Sequence, residues 1–296
     1  MNILIAGGTG FLGTYIKKRF EENNHGVRVV SRAAGDVSWI EKELTDALEK
    51  TDVLINLAGK SIDCRFTNKN KEQILKSRIE TTELLNNAIA KCKNPPDVWI
   101  NASATGIYEH TFDEKLNEYF DRFADDFLGE VVKNWENVFF SSYHMRTRKV
   151  ALRTAVVLGK SGGVYPLLNR LSKFGAGGKQ GNGRQMFSWI YIEDYFRILN
   201  VIVENKDIIG VINASAPTPV SNADLMKAFR KVNKTLIALP SPAILLNVGS
   251  YFLNFHPGLI FDSTNVVSKK LELLNFKFDA ENIEIILQKL NDNNDK

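Results

Sequence analysis

The chain has 296 residues, 44% of them hydrophobic and 24% charged, with no low-complexity block or fixed-period repeat, so it can bury a sizeable core in one large domain or two smaller ones. Its net charge of +4 is spread among interleaved acids and bases, which argues against a nucleic-acid binder with a concentrated basic stripe; the densest basic stretch, 146–149, reads as the solvated entry to an apolar strand. Cys64 and Cys92 form no disulfide framework, and the histidines at 25, 110, 144 and 256 sit in no metal motif, so no metal is predicted.

Residues 1–6 have no basic leader and their apolar run stops at glycines, so 2–6 read as a buried parallel strand rather than a signal. Residues 11–20 have helical spacing, with Leu12, Ile16 and Phe20 on one face. A second strand is predicted over 27–31, a helix over 40–48, and a third strand over 53–57 ending at Ala58-Gly59. A long amphipathic helix over 71–92 stops before Pro95-Pro96; a strand over 98–102, a helix over 127–140 and a fifth strand within 149–158 follow. Strands alternating with helices from the first residue predict an α/β fold: a doubly wound, Rossmann-type parallel sheet.

Beyond Leu158 the pattern loosens. Gly and polar residues make 173–184 a loop, and 188–192 pairs as a short strand. A helix over 193–204, a strand over 211–214 and a helix through 232, capped at Ser221 and Asn222 with Asp224 in its first turn, come next. The most apolar stretch, 239–255, is interrupted by Pro240, Pro242, Asn247, Gly249, Ser250 and Asn254 and falls short of the ~20 apolar residues of a membrane span. Pro242 suits the first position of a helix, and 269–276 reads as a helix ended by Asn275 in a left-handed conformation. The polar tail 291–296 should fray. The chain thus divides into a nucleotide-binding domain over 1–234, with a loop insert over 160–190 lining the cleft, and a small, mostly helical C-terminal module over 235–296. With no predicted span, the expected location is the cytoplasm; oligomeric state is not legible.

The run Gly7-Gly8-Thr9-Gly10-Phe11-Leu12-Gly13 follows the first strand and opens a helix. In a dinucleotide-binding turn the first Gly permits the tight exit from the strand, a middle Gly lets the backbone approach a pyrophosphate, and the last lets helix and strand pack closely. The helix N-terminus offers unpaired N–H groups to phosphate. An NAD site places an acid near the end of the second strand; here Ser31-Arg32 stand there instead, and both can bind a 2′-phosphate. NADP(H) is therefore the expected cofactor, with Gly7, Gly10, Phe11, Leu12, Gly13, Ser31 and Arg32 around it. Leu57, Ala58 and Gly59 let it lie over the carboxyl edge of the sheet.

Together with four further motifs, these residues resemble the extended short-chain dehydrogenase/reductases. The motifs are Asn56-Leu57-Ala58-Gly59 with Arg65-Phe66; Ser77-Arg78-Ile79 with Thr81-Thr82; Asp126-Phe127-Leu128 with Trp135-Glu136; and Gly177-Gly178, Gly181, Gly183, Gln185 and Ser188-Trp189-Ile190 leading to Asp194. More narrowly, they resemble its atypical branch labelled NAD-dependent (sugar-nucleotide) epimerase or cell-division inhibitor, as does the C-terminal stretch from Pro240-Ser241-Pro242 to Phe276-Lys277-Phe278. The resemblance implies an oxidoreductase or epimerase acting on a small polar or nucleotide-sugar substrate. One departure bears on chemistry. Extended members carry Tyr-x-x-x-Lys on the helix after the fourth strand; Leu128 and Val132 fall at those positions here, and neither can transfer a proton.

The resemblance places a hydroxyl residue at the end of the fourth strand beside the reacting oxygen, which is Ser103 or, in another register, Thr105; both also suit a plain turn. Tyr108 supplies a phenol from across the pocket or is a core tyrosine. Arg78, Gln185 and Trp189 are the candidate substrate-binding residues, with an exposed salt-bridging Arg78 and a core Trp189 as the alternatives. Two readings stay open: an enzyme using other acid/base residues, or an NADP(H)-binding redox sensor or partner platform.

Overall fold

The computed structural model describes residues 1–32, 35–236, 238–239 and 262–292; the helix start expected at Pro242 and the last residues of the tail lie outside the described residues. The first half runs β1 (Asn2–Ala6), α1 (Phe11–Glu22), β2 (Gly26–Val30), α2 (Glu41–Leu48), β3 (Val53–Asn56), α3 (Asn68–Lys91), β4 (Val98–Ala104), a 3₁₀ turn (Thr105–Ile107), α4 (Phe127–Phe140) and β5 (Arg148–Thr154). The second half runs β6 (Val156–Gly159), β7 (Gly162–Gly163), α5 (Tyr165–Lys173), β8 (Met186–Phe187), β9 (Trp189–Tyr191), α6 (Ile192–Glu204), β10 (Gly210–Ala214), β11 (Val220–Ser221), α7 (Asn222–Asn233), α8 (Lys269–Leu273) and α9 (Ile283–Asn291).

Six strands form one parallel sheet in the order β10-β5-β4-β3-β1-β2. Strand side chains alternate between its faces, and the burial follows that period. Ile3, Ile5, Val53, Ile55, Val98 and Ile100 join a core with Ile16 and Phe20 of α1 and Phe196 and Leu199 of α6. Leu4, Leu54, Trp99 and Ala151 point the other way, onto Leu44 of α2, Leu85 and Ile89 of α3 and Phe139 of α4. Both faces are covered, as near-continuous apolar strands require.

The single strand expected within 149–158 is two. The chain breaks at Ala155, whose N–H bonds Ala214 O while that of Val156 bonds Ser188 O, so β5 stays in the main sheet and β6 leaves it to pair with β9. An apolar run carries no mark of such a switch, because both strands are buried. Helix α3 starts earlier than its apolar spacing indicates, at Asn68, because Thr67 caps it by accepting the Asn70 N–H. Helix α5 escaped the periodicity, sitting in the region where the pattern loosens. The helix expected over 269–276 closes at Leu273, and Asn275 adopts φ 52° as its sequence position implied. Leu271 of α8 and Ile286, Leu287 and Leu290 of α9 join the same core as α1 and α6. Among the described residues, no helix is long and apolar enough to cross a membrane.

Candidate functional site

The chain leaves β1 toward β2 on one side and returns to β3 on the other, so the carboxyl ends of β1 and β3 flank the topological switch point, where open α/β sheets bind ligands. The glycine run forms the turn there. Gly7 has φ +79°, and a Cβ on it would lie 2.8 Å from the backbone of Leu57 and Ala58, so the two strand ends touch. A Cβ on Gly13 would lie 2.5 Å from Gly8 Cα, so α1 packs directly on its own approach loop. Gly10 differs: a Cβ there meets nothing nearer than Gly7 O at 3.6 Å, leaving space above the turn. No side chain caps α1, and the N–H groups of Phe11, Leu12 and Gly13 find no protein acceptor among the described residues. This cradle of small residues and free N–H groups fits a pyrophosphate. Phe11 itself packs over the β6–β7 turn, where a Cβ on Gly162 would clash with its ring at 2.5 Å.

At the end of β2 the chain folds back: Ser31 N–H donates to Val37 O at 3.2 Å, and Asp36 accepts the Val29 N–H at 2.8 Å. Arg32 is exposed at the rim of this turn and Ser31 half-buried. No carboxylate follows β2 directly, and Asp36 is held by the strand backbone.

The turn after β3 is pinned by α3. Ser77 Oγ accepts the Lys60 N–H at 2.8 Å, and Arg78 donates from Nη1 to Lys60 O at 3.1 Å and to Ile74 O at 2.9 Å. The Arg78 guanidinium lies against Gly59 and 5.1 Å from the centre of the Trp135 ring. Burial pushes its pKa down to about 10, and no carboxylate pairs with it among the described residues. It is thus neither the exposed nor the salt-bridged arginine that was the alternative. Beneath it, Thr82 Oγ accepts from Trp135 Nε1 at 2.9 Å, and Asn56 donates to Asn101 at 2.7 Å. Residues of three of the sequence motifs, Asn56, Ser77-Arg78 with Thr82, and Trp135, meet here.

Ser103 faces α4 and donates to Glu136 Oε1 at 2.5 Å. Glu136 is gripped by Arg153 of β5, whose Nη1 also donates to the Tyr108 hydroxyl at 2.8 Å; that hydroxyl donates to Asn213 Oδ1 at 3.1 Å. Burial would discharge Arg153, but the Glu136 carboxylate outweighs it and holds the guanidinium charged; burial raises the Tyr108 phenol. Tyr108 is 1% exposed. Thr105 is also buried, its hydroxyl 3.5 Å from Thr154 O. Leu128 is half-buried and Val132 buried, while Lys133 pairs with Glu130. Glu136 and Arg153 are the residues that sequence reasoning missed. The Trp135-Glu136 pair was visible as a motif, but nothing in the sequence pairs it with β5.

Gln185 and Trp189 are not brought to this edge as open groups. Gln185 Nε2 donates to Gln180 O at 3.0 Å, while Gln185 O accepts the Asn222 N–H at 2.8 Å, bracing the glycine loop on α7. Trp189 is fully buried, with its indole N–H on Thr218 O at 2.9 Å, as the core reading holds.

The sheet order and the glycine turn at its switch point define a Rossmann-type α/β protein of the dinucleotide-binding class. The pattern described as the NAD dependent epimerase/dehydratase family matches residues 3–126. Epimerase family protein YfhF of Bacillus subtilis is 35% identical across 98% of each chain. Epimerase family protein SDR39U1 of mouse is 33% identical across 83% of this chain and 85% of its own. The crystal structure of human epimerase family protein SDR39U1 (isoform 2) with NADPH superposes with a TM-score of 0.89 at 28% identity, over 98% of this chain and 99% of that one. The chain belongs to this epimerase family, which agrees with the resemblance read from the motifs.

Proposed function

We propose that the chain binds NADP(H) over the carboxyl edge of β1, β2 and β3 and acts as an NADP(H)-dependent oxidoreductase or epimerase on a small polar or nucleotide-sugar substrate, without a Tyr–Lys pair. The observation that carries the cofactor reading is the open Gly10 cradle next to a β2 end that offers Ser31 and Arg32 and no acid. The human relative solved with NADPH supports it. When bound, the nicotinamide would supply hydride chemistry. Gly7, Gly10, Phe11, Leu12 and Gly13 would hold the pyrophosphate, Ser31 and Arg32 the 2′-phosphate, and Leu57, Ala58 and Gly59 the floor. Arg78, charged beside Gly59 and with no carboxylate partner among the described residues, suits an anionic group of substrate or cofactor.

Proton transfer falls to Ser103 or Tyr108, since Leu128 and Val132 carry no transferable proton. Ser103 is the better placed, because it stands near the carboxyl end of β4, with its hydroxyl held by Glu136. One observation favours a non-catalytic redox sensor or partner platform instead: the Ser103 and Tyr108 hydroxyls are both committed to protein partners.

Calorimetry with NADPH and NADH tests the cofactor, with tighter NADPH binding expected and Arg32→Ala weakening NADPH alone. Equal affinities in the unmutated protein would overturn the preference. A screen of NADPH oxidation and NADP⁺ reduction against carbonyl, polyol and nucleotide-sugar substrates tests the chemistry. Turnover lost in Ser103→Ala or Tyr108→Phe supports the enzyme, whereas activity surviving both refutes their roles. Tight NADPH binding without turnover across the panel favours the sensor or platform.

A further inference from the structure

Beyond the cofactor edge, three residues that sequence spacing never connected meet at the start of α4. His110, Asp126 and Asp262 each present one ligand atom, and these atoms all lie within 4.8 Å of one another. Each of the first two is held in place by its remaining atom. His110 Nδ1 lies 3.1 Å from Ser263 O, and Asp126 spends Oδ1 on the Gly129 N–H at 2.8 Å, capping α4. That leaves His110 Nε2 and Asp126 Oδ2 facing each other at 2.8 Å.

This arrangement needs a positive charge at its centre. A neutral imidazole has one N–H, yet both ring nitrogens of His110 face oxygen acceptors, a carbonyl on one side and a carboxylate on the other. Two half-buried carboxylates so close together repel unless a cation lies between them. Metal-bound histidines commonly give their other nitrogen to a carbonyl or carboxylate, and metal-bound carboxylates are themselves hydrogen-bonded; both supports are present here.

We propose that His110 Nε2, Asp126 and Asp262 bind a divalent transition ion of the Zn²⁺ type, leaving a fourth position open. The imidazole nitrogen favours such an ion over Mg²⁺, which prefers oxygen ligands and retains its waters. The ion ties the segment at Asp262 and Ser263 to the N-terminus of α4. The site is independent of the cofactor edge, so it stands or falls apart from the NADP(H) reading. The sequence predicted no metal because positions 110, 126 and 262 form no motif spacing.

The test is equilibrium dialysis of the metal-stripped full chain against Zn²⁺, with Mg²⁺ as a second arm and Co²⁺ absorption to report the ligand field. One Zn²⁺ per chain at micromolar affinity or better is expected, with Mg²⁺ far weaker. Asp262→Asn and His110→Ala should each weaken Zn²⁺ by roughly 100-fold or more, at or beyond the upper end of what losing an outer-shell partner costs. Asp126→Asn keeps an oxygen for the Gly129 cap, so its loss of affinity separates ligation from folding. Asp125→Asn, an exposed neighbour outside the triad, should bind Zn²⁺ as the unmutated chain does. Absence of Zn²⁺ binding in the unmutated protein overturns the proposal and leaves a protonated His110 between the two acids. Binding that persists in both His110→Ala and Asp262→Asn overturns it equally.

Discussion

Arg153 grips Glu136 at two points, Nε to Oε1 at 2.8 Å and Nη2 to Oε2 at 2.7 Å, with 7% and 10% of the two side chains exposed. The pair joins β5 to α4 and anchors a polar chain that runs from Ser103 to Asn213.

Removing one partner of this pair should cost more than the pair itself contributes, because the other charge is left buried. Glu136→Gln should therefore destabilise the chain by about 3–5 kcal/mol in urea unfolding. Ser103→Ala, which removes one hydrogen bond and leaves the ion pair intact, should cost about 1 kcal/mol. A Glu136→Gln variant within 1 kcal/mol of the unmutated chain would show that the network does not hold the fold.

Two glycines of one turn should respond in opposite ways. Gly10 has room for a methyl group, so Gly10→Ala should melt like the parent while NADPH binding falls, because the methyl occupies the cradle. Gly13→Ala should lower the melting temperature by several degrees, since its Cβ would press on the Gly8 backbone. Unchanged NADPH affinity in Gly10→Ala would show that the pyrophosphate lies elsewhere.

Arg78 carries its charge in a half-buried place, with no acid paired to it among the described residues. Arg78→Lys should lose anion affinity, because a point charge cannot reproduce the planar fork on Gly59 and Trp135. Arg78→Met should leave the fold nearly as stable, because it removes a half-buried charge that no carboxylate balances among the described residues, even as two bonds from Nη1 are lost. Thermal melts and titration with NADPH and with nucleotide sugars separate these effects; identical affinities for every anion in both variants would remove Arg78 from the site.

Asp194 holds the connection between α8 and α9, accepting the Asp279 N–H at 2.9 Å, and pairs with Arg197 at 2.7 Å. Burial pushes its pKa from 3.8 up to about 6. The native state therefore keeps a proton between these values that the unfolded chain has lost. The stabilisation is fully present below 3.8 and is lost as pH rises through about 6, an effect on the order of 3 kcal/mol. Asp194→Asn should flatten that part of the stability-against-pH curve, and its difference from the parent should grow in its favour between pH 4 and about 6. Parallel curves for the two proteins would show that Asp194 titrates normally.

The sheet, its winding and the cofactor turn were legible in the sequence because they rest on local signals. Period-2 and period-3.6 apolar spacing mark the strands and helices, Gly7 needs a positive φ, Gly13 needs to lack a Cβ, and Asn275 turns left-handed two residues after its helix closes at Leu273. The absence of an acid after β2 was equally local. The tertiary structure alone decided what Ser103, Tyr108, Arg78 and Gln185 touch. Tyr108 and Asn213 stand 105 positions apart, and Ser103 and Glu136 stand 33 apart. Strand register and the rotation of α4 set those meetings. A hydroxyl at the end of a strand reads the same whether its proton faces a ligand or a buried carboxylate, and the break at Ala155 that sends β6 out of the sheet leaves no mark in an apolar run.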